Sequence, residues 1–144
     1  MLLGRVQATG SVTTITVDLP KGYQVFEIIA RVAGYTGADI ARLQFNRDTA
    51  NNYAGRQVLS TSVTNTTTPA TAGIPVATAG ITNPRGLIWA RVDKRAAALT
   101  ARVIGLTHSD NEGSATAPVS YYFMGSWNNT SALISSVSLN GGAG

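Results

Sequence analysis

Three clusters in this 144-residue chain hold side chains able to do chemistry, and each has an ordinary structural role to set beside the chemical one. His108-Ser109-Asp110 puts a base, a hydroxyl and an acid in succession. A nucleophilic triad needs those groups to converge in space, whereas chain neighbours point in different directions, so a solvated turn histidine is the expected role. Asp110-Asn111-Glu112 offers oxygen ligands of the kind Ca²⁺ takes, without the alternating spacing of a dedicated loop. Asp48 with Asn46, Asn51 and Asn52 is the denser oxygen cluster. Such side chains commonly bond their own backbone, and turn capping is expected of them. With one histidine, a histidine metal site is not expected, and with no cysteine there is no thiolate ligand, nucleophile or disulfide. The acids are spread one per turn or strand, nothing recommending a facing carboxylate pair, and the glycines are isolated, none opening a helix as in a phosphate loop. No enzyme activity, cofactor or metal is therefore expected.

The remaining candidates concern binding. Net charge is +4, and five of the eleven basic residues lie between Arg85 and Arg102 (Arg85, Arg91, Lys94, Arg95, Arg102), with Asp93 the acid among them. That cluster reads either as a basic edge for an acidic partner or as a solvated strand pair and its turn. Trp89 is the lone aromatic interleaved with it, so a specific nucleic-acid partner is not expected. The tyrosines with Trp89 and Trp127 could line a sugar site, although core or sheet-edge packing is the commoner use of such rings. Leu2, Leu3 and Arg5 lie in an N-terminal arm that could reach a groove on a partner or simply fray.

The elements that must position these residues are strands. Charged residues make up 12% of the chain, against about 25% in ordinary soluble domains, and Thr, Val, Ala, Ser and Gly are plentiful. Alternation predicts strands over 12–19, 23–32, 40–45, 86–92, 99–106, 119–124 and 133–139, with a further short one over 56–60. Asp18-Leu-Pro-Lys-Gly22, Gly34-Tyr-Thr-Gly37 and His108 to Gly113 read as turns. Asp93 to Ala98 fits a hairpin connection better than a helical turn. Residues from about 60 to 84 carry no periodicity and read as a long polar loop, a candidate contact arm. The expected fold class is all-β: one antiparallel β-sandwich domain over 1–144, jelly-roll-like, with seven to eight short strands and an arm over about 1–10. No apolar run is long enough for a membrane helix, and the start lacks a signal peptide's charged and apolar regions, so a soluble protein made in a cytoplasm is expected.

Three segments together resemble a family of tailed-bacteriophage virion proteins with a jelly-roll or sandwich domain. The first is Leu19-Pro-Lys-Gly-Tyr23 with the apolar strand Val25 to Arg31. The second is Phe45-Asn-Arg-Asp-Thr-Ala-Asn-Asn-Tyr53. The third is Gly125-Ser-Trp-Asn-Asn-Thr-Ser-Ala-Leu-Ile-Ser-Ser136. Their order and spacing match over about Leu19 to Leu139. Two departures stand out: Arg47 occupies a position where the family pattern has Gly, and the chain stops at the Gly-rich turn 141–144, after which the family adds a closing strand. That strand is then either absent or supplied by a neighbouring subunit, and its absence would leave a ladder edge open to pairing.

The resemblance implies a non-enzymatic capsid decoration (cement) protein on the virion surface, made in the host cytoplasm. Its partners would be the major capsid protein and neighbouring copies of itself, a homotrimer among the arrangements open to it. The alternative is a tail or fibre module recognising a host-surface glycan or protein through Tyr53, Trp89 or Trp127. Leu2, Leu3, Arg5, Arg85, Arg91, Lys94 and Arg95 are the expected partner-binding residues.

Overall fold

The computed structural model describes residues 1–10, 12–20, 23–32, 41–59, 65–77, 85–110 and 119–141. In chain order the strands are β1 (Thr14–Asp18), β2 (Val25–Val32), β3 (Arg42–Phe45), β4 (Tyr53–Leu59), β5 (Asn65–Thr71), β6 (Ile74–Pro75), β7 (Arg85–Asp93), β8 (Ala101–Asp110), β9 (Val119–Trp127) and β10 (Ser136–Asn140). Among the described residues there is no helix. The strands form two antiparallel sheets, one of four in the order β1-β10-β3-β6 and one of six in the order β2-β7-β8-β9-β4-β5. The sheets pack face to face as a β-sandwich, and one core lies between them.

Each strand enters that core by its period of two. In the six-stranded sheet Phe26, Ile88, Ala90, Val92, Val103, Phe123 and Trp127 point inward, and Leu43, Phe45 and Val137 meet them from the four-stranded sheet. Asp93 to Ala98 joins β7 and β8 as the expected antiparallel hairpin, with Asp93 opposite Arg102. β8 continues to Asp110, so His108, Ser109 and Asp110 belong to a strand and not to the expected turn.

The stretch expected as a polar loop contributes two strands, raising the total among the described residues to ten. β5 pairs along β4 at the edge of the larger sheet. β6 pairs with β3, and Ile74, Pro75 and Val76 are fully buried. Two glycines explain how so short a strand enters the core. Gly55 and Gly125 face each other across β4 and β9. A Cβ on Gly55 would lie 2.5 Å from Pro75 Cδ, and one on Gly125 would lie 2.5 Å from Ile74 Cγ2. The pair thus forms a floor without side chains, on which Ile74 and Pro75 rest. Thr107 closes the seat by donating its hydroxyl to the Val76 carbonyl.

The expected turns around Lys21–Gly22, at Gly34–Gly37 and over 111–113, much of the 60–84 stretch, and 142–144 lie outside the described residues.

Candidate interaction surface

The Asp and Asn cluster after β3 is a structural corner. Asn46 and Arg47 adopt φ of 55° and 56°, and Asp48 N–H donates to the Phe45 carbonyl at 2.9 Å, closing a turn with two left-handed residues. That turn lifts the chain from the smaller sheet to the larger. Asn46 uses its pose to hold the approach to β10. Its Oδ1 accepts the N–H groups of Ser135 and Ser136 at 2.7 and 3.2 Å, and its Nδ2 donates to the Leu133 carbonyl at 2.8 Å. Asp48 accepts Ala50 N–H at 2.9 Å, Asn52 Nδ2–H at 3.0 Å and Trp127 Nε1–H at 2.8 Å. Burial raises the Asp48 carboxyl, but these three donors together outweigh it and hold the group below its ordinary value. Of the expected capping cluster, Asp48 caps its own turn through Ala50 N–H, whereas Asn46 bonds the distant approach to β10 and Asn52 bonds the Asp48 carboxylate.

Tyr53 completes the corner. Its hydroxyl accepts Phe45 N–H at 2.9 Å and faces the Phe45 and Asp48 carbonyls, each at 3.1 Å, as acceptors for its proton. Burial pushes that hydroxyl well above its usual range, only partly offset by the backbone bond to Phe45, so it is a neutral, structural phenol. Phe45, Tyr53 and Trp127 form one aromatic cluster with centroids 5.6 to 6.4 Å apart. Tyr53 and Trp127 are buried, which leaves Trp89 as the one of the three expected recognition aromatics that reaches the surface.

The seven expected partner-binding residues are scattered. Lys94 lies inside the protein at 2% exposure. Its ammonium donates to the carbonyls of Leu99 and Asn129 at 2.6 Å and of Ala97 at 3.3 Å, and sits 5.0 Å from the Trp127 ring centroid. Burial presses its pKa below the usual lysine value. It therefore ties the β7–β8 connection to the β9–β10 corner and offers nothing to a partner. Arg95 is exposed and pairs with Asp93 at 3.1 Å. Arg91 is exposed on the outer face of β7, where Arg85 opens the same strand. In the arm, Leu3 packs against the protein's own core, while Met1, Leu2 and Arg5 stay exposed. The arm lies close on β1, for a Cβ on Gly4 would come 2.6 Å from Val17 Cγ1.

A different surface is the most developed one, and strand register assembles it. On the outer face of the larger sheet Ile29 pairs with Trp89, Trp89 with Leu106, Leu106 with Tyr122, and Tyr122 with Val58. This apolar row crosses five strands. The next row runs Glu27, Arg91, Ile104, Met124 and Arg56. Ile29 is 71% exposed, Tyr122 58% and Ile104 56%, values that mark an apolar sheet face open to contact. Sequence alternation places each residue outward, but only pairing shows that they align.

Outside these features the chemistry is sparse. His108 Nδ1 lies 3.2 Å from Ser120 Oγ across the β8–β9 pair, the two being register partners. Among the described residues no three His, Asp or Glu side chains gather closely enough to share a metal ion. Comparison with protein-family models, curated proteins and solved structures finds no match to this chain.

Proposed function

We propose that the protein is a bacteriophage virion component, a capsid decoration protein that binds across major capsid subunits and stabilises their lattice. The observation that carries this reading is the union of two of the three segments behind the resemblance. Phe45 to Tyr53 and Gly125 to Ser136 interlock through Asn46–Ser135 and Asp48–Trp127 into a single corner that braces the two sheets. Asn46, Asp48, Asn52 and Trp127 of those segments are engaged in holding the fold, which suits a scaffold working by adhesion. Exposed Met1 and Leu2 on an arm anchored by Leu3, together with the apolar outer face, supply contact surface of the kind a lattice clamp needs. A clamp of this sort requires roughly 1,200 Å² or more of buried interface, and many copies on one shell raise its effective strength.

The test is location and copy number on purified particles, by cryo-electron microscopy and quantitative mass spectrometry. The expected result is hundreds of copies on the head, with heads lacking the protein bursting at lower temperature. Absence from the head overturns the reading. A few copies at the tail would instead favour host recognition, which on this structure would have to run through Trp89 and its neighbours.

A further inference from the structure

We propose that the outer face of the six-stranded sheet is the surface by which this protein seats on its shell, and that the protein surface it meets there is acidic. The inference rests on the capsid reading and names the chemistry of the partner.

Strand pairing gathers the basic residues. Arg31 on β2, Arg91 on β7, Arg102 on β8 and Arg56 on β4 are all exposed on this one face. Among the described residues none of the four makes an ion pair. Of the acids between them, Asp93 is tied to Arg95 at 3.1 Å, which leaves Glu27 as the one carboxylate without a cation. At the far end of the face Arg85 and Asp110 are register partners, one charge against the other. Four arginines against one such carboxylate make the face basic, and their placement on four strands spreads that charge across it. A second copy of the face would present the same sign of charge, so an acidic partner is selected.

The side chains between the arginines are those of a protein interface. Trp89, Leu106 and Tyr122 form the centre, with Ile104 and Met124 beside them. Aromatic residues, Met and Arg are concentrated in protein interfaces, whereas Lys is depleted, and the four unpaired cations here are all arginine. The planar guanidinium takes a carboxylate through two parallel bonds, and an indole and a phenol among such groups supply the desolvated centre where binding energy gathers. Single-stranded nucleic acid fits less well. Its bases need rings at successive steps, whereas Trp89 and Tyr122 stand two strands apart, about 10 Å, with Leu106 between them. Trp89 Nε1–H donates to Glu27 Oε2 at 3.4 Å and keeps that carboxylate beside the centre, where it would repel a phosphate backbone. A protein surface can answer it with a hydroxyl or a base of its own.

Rebinding of the purified full chain to heads lacking it, read as occupancy against concentration, tests the inference. The wild-type chain should bind, and binding should weaken about tenfold or more as ionic strength rises from about 0.05 M to about 0.5 M. Arg56→Glu and Arg91→Glu should each weaken it by about tenfold or more. Arg47→Glu, the same charge change on the corner between the sheets, should shift it by less than about threefold. Glu27→Gln should tighten it, since the exchange removes the one like charge facing an acidic partner. Circular dichroism and thermal melts confirm that each variant folds. A wild-type chain that fills heads but is indifferent to the two reversals, or is weakened by Glu27→Gln, overturns the inference and leaves the capsid assignment standing. So does an equal loss on reversal at Arg47, which would make overall charge responsible and not this face. A wild-type chain that binds no heads ends both readings. Binding to a thymidine 20-mer that the same reversals abolish, without binding to heads, would assign the face to nucleic acid instead.

Discussion

Arg47 holds a φ of 56°, a region where a residue with a Cβ is strained by about 1–2 kcal/mol. Its contact with Asp18, 3.6 Å between largely exposed groups, returns little. Arg47→Gly should therefore stabilise the fold by about 1 kcal/mol, part of the relief being lost to the freer unfolded chain. A rise in the urea midpoint would show it. Asn46, at φ 55°, differs because its amide bonds the approach to β10, so Asn46→Gly should destabilise in the same assay. Asp48 gives the corner a pH signature. Its folded pKa lies below the unfolded one, so its contribution is present above about pH 4 and is lost as pH falls through the folded value. The stability advantage of the wild type over Asp48→Asn should be full at pH 6 and shrink steadily toward pH 2, as urea titrations at each pH would reveal. Had the difference stayed constant with pH, the carboxylate would not be the group receiving Trp127 Nε1–H.

Among the elements, β6 is the one whose place depends on others. Two residues long, it is seated by Gly55 and Gly125 in the opposite sheet. Gly125→Ala should cost about 1–3 kcal/mol, as overpacking does, because its methyl group would meet Ile74. The variant's thermal midpoint checks this, and the same exchange made in an Ile74→Ala background should cost less, because the shorter side chain leaves room for the methyl group. This long-range dependence explains what the sequence left unread. β1, β2, β3, β7, β8, β9 and β10 were legible because Val, Ile, Leu and Phe alternate with polar residues. β5 and β6 were not, because Thr, Asn, Ala and Pro carry no such period, and β6 is buried by a glycine pair 19 or more positions away along the chain. Lys94 was misplaced for a related reason. A lysine in a basic run reads as solvated until the carbonyls of Ala97, Leu99 and Asn129 are found around it. The capping of Ala50 N–H by Asp48 was legible, being local chemistry, while the bonds from Asn46 to Ser135 and from Asp48 to Trp127 were not, because they join segments far apart in the chain. The apolar row from Ile29 to Val58 was not, since it exists only once five strands are in register.

At the scale of the molecule, the two sheets share one core and are joined at the corner by Asn46, Asp48, Tyr53 and Trp127, with Lys94 reaching the same cluster. They should unfold together. Urea unfolding followed by tryptophan fluorescence, which includes the buried Trp127, and by far-ultraviolet circular dichroism, reporting every strand, should give coincident transitions. Separated midpoints would mean that the corner does not couple the sheets. The enclosed Lys94 has a practical consequence here. The chain contains two lysines, and in the folded state one of them is walled off by three carbonyls and an indole. An acylating reagent such as an N-hydroxysuccinimide ester should thus spare that nitrogen and label it only when the domain opens. Peptide mapping of the tag at position 94 would then serve as a clock for opening, and the domain could carry dyes or cargo on its remaining amines without disturbing its centre.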